Sequence, residues 1–236
     1  MSAILCIETA TRVCSVAICK EGNVISKREI SGEYSHAEKL TLFIREVSEE
    51  TGIMLGQLDA VAVSRGPGSF TGLRIGVSTA KGLCYALDKP LISVGTLQSM
   101  AYGMAEICNS NSTGRKDILF CPMIDARRME VYTALYDGEN NEIIPPAAEI
   151  IAASSFSEYF KKHTLCFAGD GAEKCKELFA GQPRAVFLDT MLPSACHMAS
   201  LADHAFNAGR FEDVASFEPY YLKDFVAGKP KVKGLK

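Results

Sequence analysis

The stretch AILCIETATRVCSVAICKEGNVISKREI, residues 3–30, decides the fold. Within it Ala3–Ile7, Val13–Cys19 and Val24–Ile30 are strand-like apolar runs joined by short turns such as Glu21-Gly22-Asn23. Three strands in a meander are expected. The next segment opens with Ser35-His36-Ala37-Glu38, which has the form of a capping box. It continues with Leu40, Phe43, Ile44 and Val47 at the helical period and reaches Gly52, a helix stop. A strand at Ala60–Val63, a glycine-rich loop, a helix over Leu73–Leu87, a strand at Leu91–Val94 and a helix from Thr96 to Cys108 follow. The order is βββαβαβα.

The polar run NSNSTGRKD, residues 109–117, reads as a connector. Beyond it the order returns, with strands at Ile118–Ile124, Val131–Tyr136 and Glu142–Ile150 and a helix near Ser155–Lys162. A strand at Leu165–Ala168, a helix near Ala172–Ala180, a strand at Ala185–Leu188 and a helix over Ala195–Ala208 complete it. Ile7-Glu8 closes the first strand of one half as Ile124-Asp125 closes it in the other. The chain therefore divides into two expected α/β subdomains, 1–108 and 118–236. Such an internal repeat resembles the actin-like ATPase (ASKHA, ribonuclease H-like) plan, in which a nucleotide lies in the cleft between halves.

Composition excludes several classes. The 236 residues are 47% hydrophobic and 22% charged, which suits an ordinary globular chain. No run approaches the ~20 apolar residues of a membrane helix, and MSAILCIETATR lacks the marks of a secretory leader. A cytoplasmic protein without membrane contact is expected. The nine cysteines are scattered and form no C-x-x-C pair, so they read as small buried hydrophobes. No histidine spacing suits a metal site. With a net charge of −3, nothing draws the whole chain to nucleic acid. The exception is the tail, where Lys229, Lys231, Lys233 and Lys236 read as a solvated terminus, with an RNA contact as the alternative.

In the actin-like plan, the turn after the first strand of each half holds phosphates, with an Asp and small residues whose amides approach closely. Here the first turn reads Glu8-Thr9-Ala10-Thr11 and the second Asp125-Ala126-Arg127-Arg128-Met129. Glu in place of Asp, and two long side chains in the second turn, argue against an efficient ATPase. Gly169-Asp170-Gly171-Ala172 resembles an adenosine-binding loop, or is a plain strand-to-helix turn. Weak ATP or ADP contacts would fall on Glu8, Thr9, Gly68, Ser69, Gly169 and Gly171.

The run Ser64-Arg65-Gly66-Pro67-Gly68-Ser69-Phe70-Thr71-Gly72-Leu73-Arg74-Ile75-Gly76 feeds a helix and could hold an anion at the helix start. It is neither a Walker A motif nor a nucleophile elbow. Behind it Gly72, Gly76, Ala80 and Cys84 fall four apart, a ridge that admits another helix closely or packs on the chain's own sheet. Apolar Leu42 and Phe43 beside the first helix's stripe favour an outside partner.

The run SRGPGSFTGLRIG, with IETATRVCSVAI before it and SHAEKL, IDARRMEVYTALYD and EPYYL elsewhere, resembles the TsaB (YeaZ) family of bacterial tRNA threonylcarbamoyladenosine biosynthesis proteins. The resemblance spans nearly the whole chain and implies assembly with a catalytic TsaD paralogue and the ATPase TsaE. That assembly modifies the adenosine next to the anticodon in tRNAs reading codons that begin with A. The catalytic paralogue carries a metal-binding His-x-x-x-His pair, whereas this chain has only His36 in the comparable region. A non-catalytic partner is therefore expected, homodimeric when alone, meeting tRNA only through the complex. Its interface is assigned to Lys39, Leu40, Phe43 and Val47 with Leu73, Arg74, Gly76, Val77 and Ala80. On this reading Ala80→Glu abolishes pairing and leaves the fold intact. The competing readings are an independent ATP-dependent phosphotransferase, a glycoprotease-like peptidase, or a homodimeric binding module with no role in tRNA modification.

Overall fold

The computed structural model describes residues 2–32, 35–111, 117–189 and 191–223, apart from the side chains of Ser35, Ser110 and Asn111. The Ser35 capping box, connector residues 112–116 and the four tail lysines lie outside the described residues. Ten strands form two five-stranded sheets. β1 (Ala3–Glu8), β2 (Val13–Lys20), β3 (Asn23–Ser31), β4 (Ala60–Ser64) and β5 (Leu91–Val94) form the first, in the order β3-β2-β1-β4-β5. β6 (Ile118–Asp125), β7 (Glu130–Tyr136), β8 (Glu142–Ile150), β9 (Thr164–Ala168) and β10 (Ala185–Leu188) form the second, in the order β10-β9-β6-β7-β8. Each sheet has an antiparallel meander on one side of its first strand and parallel strands on the other. This duplicated plan is the actin-like ATPase fold.

Why β1 is buried along its whole length follows from the period of two. Leu5 and Ile7 face α1 (Ser35–Thr51) and α2 (Phe70–Leu87), while Ile4 and Cys6 face the opposite side. There Cys6, Ala17, Cys19, Ala60 and Ala62 meet Ala195, Ala199, Ala202 and Ala205 from the 3₁₀ turn Ala195–Met198 and α5 (Ala199–Asn207). Small residues on both sides let this helix approach closely, and the buried thiols serve as small apolar side chains. All nine cysteines are unpaired, and burial pushes the Cys14 thiol up to about 11 and that of Cys121 to about 12.

The last helix of each half crosses to the other sheet. α3 (Thr96–Asn111) packs Leu97, Met100, Ala101 and Met104 onto β6, β7 and β9 of the second sheet, whereas α5 covers the first. Between β8 and β9, and between β9 and β10, the expected helices shrink. The first is the single turn α4 (Ser157–Phe160), and the second is two 3₁₀ turns at Glu173–Cys175 and Glu177–Phe179. Segments this short gain too few hydrogen bonds to repay helix nucleation. Their burial of Phe160, Cys175 and Phe179 beneath the sheet supplies the stability instead.

Residues 211–223 then strap the two sheets. Glu212 bridges to Leu91, and Lys81 donates from Nζ to the carbonyls of Ala215 (3.1 Å) and Phe217 (2.9 Å) on the way past α2. The Tyr221 ring lies against Phe70, tilted by 38° with centroids 5.1 Å apart, and its hydroxyl accepts from Arg74 Nε. Lys223 ends the strap in an ion pair with Glu130 of β7.

Candidate functional site

The turn after β1 is sealed rather than open. Glu8 and Thr9 are fully buried, Glu8 Oε1 accepts from the Ala10 amide at 2.6 Å, and Glu8 Oε2 and Thr9 Oγ1 have no hydrogen-bond partner. Burial pushes the Glu8 carboxyl up to about 7, against the pull of hydrogen bonds from Ala10, Ser64 and Thr9. The glycines of the following loop explain the seal. A Cβ on Gly68 would lie 2.3 Å from the Ala10 carbonyl oxygen, one on Gly72 2.2 Å from that of Thr9, and one on Gly76 2.2 Å from Thr9 Oγ1. These glycines let α2 lie directly on the turn. Ser69 caps the helix by accepting from the Gly72 amide, while its own amide donates to the Ala10 carbonyl at 2.7 Å.

The turn after β6 is exposed and charged. Asp125 accepts from the Arg127 amide and pairs with Lys174, whose Nζ also reaches the carbonyls of Arg128 (2.8 Å) and Glu130 (2.7 Å). Arg127 and Arg128 have φ of 73° and 53°, a left-handed backbone that costs a non-glycine residue about 1–2 kcal/mol. Gly169 and Gly171 sit under this turn, where a Cβ would come within 2.2 Å of the Met123 carbonyl and 2.9 Å of the Ile124 carbonyl carbon. Asp170 accepts from the Asp125 amide at 3.0 Å. Burial, and after it the charge of Asp125, pushes the Asp170 carboxyl up, while the Asp125 amide and Arg12 of the first turn oppose the shift.

These residues do not fit a magnesium-bound nucleotide. Glu8 has no exposed oxygen, and Asp125 is engaged by Lys174. Among the described residues no group of three His, Cys, Asp or Glu side chains could hold an ion. His36 Nε2 lies 3.1 Å from the Val13 carbonyl, a contact within the chain itself. None of the described helices is long and apolar enough to cross a membrane.

The small-residue ridge also points inward. Gly72 and Gly76 rest on Thr9, and Ala80 and Cys84 are buried beside Leu40, Phe43 and Val47 in the core between α1, α2 and the first sheet. Of the nine expected interface residues, Leu40, Phe43, Val47, Leu73, Gly76, Val77 and Ala80 are buried; Lys39 is half-buried and Arg74 exposed. With Ala80 fully buried, the expectation that Ala80→Glu leaves the fold intact is corrected.

A second row of small residues faces outward. Ser78, Gly82 and Ala86, again four apart, occupy the opposite side of α2 and are all exposed. Beside them a groove of about 440 Å³ runs between α1 and α2, lined by Thr41, Ile44, Ser48, Met54, Thr79 and Leu83 among others. Met54 (66% exposed) and Tyr85 (87%) are large apolar side chains standing in solvent. The spacing of the outer row was present in the sequence. The buried row is longer and adjoins the glycine loop, so the sequence alone assigns the partner surface to it.

The fold defines an actin-like protein in which the turn after β1 is packed under α2 and the turn after β6 is exposed and charged. The sequence pattern of the family described as "TsaD: tRNA N6-adenosine threonylcarbamoyltransferase" matches residues 25–224. The chain is 32% identical to the tRNA threonylcarbamoyladenosine biosynthesis protein TsaB of Escherichia coli, over 96% of both chains. It is 35% identical to the tRNA N6-adenosine threonylcarbamoyltransferase of Symbiobacterium thermophilum over 125 residues, 49% of this chain and 36% of that one. The solved structure "YeaZ from Pseudomonas aeruginosa" superposes with a TM-score of 0.76 at 27% identity, covering 94% of this chain and all of that one. The chain belongs to the TsaB (YeaZ) family of tRNA threonylcarbamoyladenosine biosynthesis proteins.

Proposed function

We propose that the chain is a non-catalytic subunit of the machinery that forms threonylcarbamoyladenosine in tRNA, and that it docks a TsaD-like catalytic paralogue through the outer face of α1 and α2. The observation that carries this reading is Gly82. Glycine inside an exposed helix costs about 1 kcal/mol relative to alanine, and Gly72 and Gly76 repay that cost by contact with Thr9. A Cβ on Gly82 would meet nothing within 4 Å. The chain's own packing gives no reason for a glycine there, whereas a second helix crossing the Ser78-Gly82-Ala86 row would use it. The groove between α1 and α2, whose lining includes Arg45 and Glu49 beside Ile44, Met54, Leu55 and Leu83, and the exposed Tyr85 extend the same surface. Leu40, Phe43, Val47, Leu73, Gly76, Val77 and Ala80 support the two helices from beneath.

Self-association through this face accounts for a homodimer in the absence of the paralogue. A TsaE-like ATPase completes the assembly, tRNA is met within it, and the setting is the cytoplasm. The lone His36, and the engagement of Asp125 by Lys174, speak against independent peptidase or phosphotransferase activity. The test is nucleoside analysis of tRNA from cells in which the chain carries Gly82→Glu. Threonylcarbamoyladenosine should fall at least about tenfold while the variant accumulates normally, because an unpaired charge in a desolvated helix contact is strongly unfavourable. Unchanged modification at normal protein level contradicts the proposal.

A further inference from the structure

We infer that Cys108 and Cys166 form an oxidisable thiol pair, a modification site at which hydrogen peroxide converts the two thiols into a disulfide that staples α3 to β9.

Seven of the nine cysteines are buried, and only Cys108 and Cys196 are half-buried. Cys108 lies in the last turn of α3, and Cys166 in the middle of β9 between Phe120 of β6 and Val186 of β10. Their sulfurs are 3.9 Å apart although 58 positions separate them in the chain. A disulfide holds its sulfurs about 2.05 Å apart, so the pair must close by about 2 Å. Side-chain torsion at a helix end supplies a movement of that size.

Exposure separates this pair from the other close one. Cys6 and Cys19 are nearer, at 3.4 Å, on the adjacent antiparallel strands β1 and β2. Both are sealed beneath α5, and the Cys19 thiol also donates to the Ile4 carbonyl at 3.2 Å. The hydrogen bond with Cys19, and after it burial, hold the Cys6 thiol well above its ordinary value. Oxidation follows exposure and thiolate character. Cys108 is therefore the attacking sulfur, and Cys166, whose thiol burial pushes far up, is the one that resolves it.

Peroxide alone balances the chemistry. The Cys108 thiolate attacks one peroxide oxygen, the S–O bond forms as the O–O bond breaks, and the departing hydroxide takes up a proton as water. The Cys166 sulfur then attacks the sulfenic sulfur of Cys108. The S–S bond forms, the S–O bond breaks, and a second water leaves with the Cys166 proton. Two thiols thus lose two electrons and two protons, and one peroxide becomes two waters. Contact between the sulfurs makes the second step intramolecular. The bond joins a helix contributed by the first half to a strand of the second, and a cross-link of that span restricts the unfolded chain.

The test treats the full chain with millimolar hydrogen peroxide, alkylates the remaining thiols under denaturing conditions, and maps linked peptides by mass spectrometry without reduction. Cys108 should be joined to Cys166 within one chain, with Cys6 and Cys19 alkylated. The oxidised chain should melt about 5 °C or more above the reduced one, and dithiothreitol should abolish the rise. Cys166→Ala with a wild-type circular dichroism spectrum should leave Cys108 as a sulfenic acid that dimedone traps, and Cys108→Ser should leave Cys166 reduced. The wild-type map needs neither variant to fold. No link between Cys108 and Cys166, a link between Cys6 and Cys19 formed as fast, or a bond that leaves the melting temperature unchanged or lower would each overturn the inference. So would a folded Cys166→Ala chain without a dimedone adduct on Cys108.

Discussion

The turns after β1 and β6 occupy equivalent places in the two halves and have been put to opposite uses. In the first, Glu8 is buried and three glycines of the following segment bring α2 down on Thr9 and Ala10, so the turn is a packing surface. In the second, Asp125 stays at the surface, Lys174 neutralises it and two arginines project, so the turn is a charged one. Duplication preserved strand order and the close glycine contacts, at Gly68 and Gly72 in one half and Gly169 and Gly171 in the other. Glycines that look like a phosphate cradle in sequence are here required by backbone meeting backbone.

The largest expected effect comes from the sealed half. Ala80→Glu places a charge in the core under α2 and should cost about 4 kcal/mol or more, read as loss of cooperative unfolding in urea; a stably folded variant would break the claim that this row faces inward.

Next is the pH dependence of Glu8. Its folded pKa of about 7 lies above the ordinary 4.5 of the unfolded chain. Its contribution is therefore fully present below about pH 4.5 and is lost as the pH rises toward 7. The loss amounts to roughly 3 kcal/mol. Glu8→Gln should remove that slope and exceed the wild type in stability at pH 8; identical pH profiles would show that the carboxyl is not sealed.

Gly72→Ala should cost about 2–3 kcal/mol, because the new methyl meets backbone that cannot give, and thermal melting would measure it. In the charged half, Lys174→Met should cost only about 1–2 kcal/mol. It should also raise proteolytic cleavage after Arg127 and Arg128, as the turn loses the ammonium that holds its carbonyls. Equal penalties for Gly72→Ala and Lys174→Met would erase the contrast between the halves.

Much of the frame was legible in the sequence. The strands followed from apolar runs and turn residues, and the duplicated order predicted two sheets of the same topology. The helices expected at 155–162 and 172–180 were not recovered at full length, because a short apolar pattern looks the same whether it closes an α-helix or two 3₁₀ turns around Cys175 and Phe179. Nor could periodicity reveal that α3 and α5 exchange sheets, since an apolar stripe says that it is covered and not by what. The same limit turned the Gly72-Gly76-Ala80-Cys84 row outward in the sequence reading, when its neighbour is Thr9, more than 60 residues earlier. Lys174 was invisible for the related reason that its partner Asp125 lies 49 positions away.

The central claim, that the outer face of α1 and α2 is the docking surface, is tested most directly by light scattering on the purified chain mixed with the TsaD-like paralogue proposed as its partner. The wild type should give a complex of both chains, and Gly82→Glu, with an unchanged circular dichroism spectrum and melting temperature, should leave the two proteins separate. A Gly82→Glu protein that still forms the complex at wild-type affinity would contradict the account and move the partner surface elsewhere on the molecule.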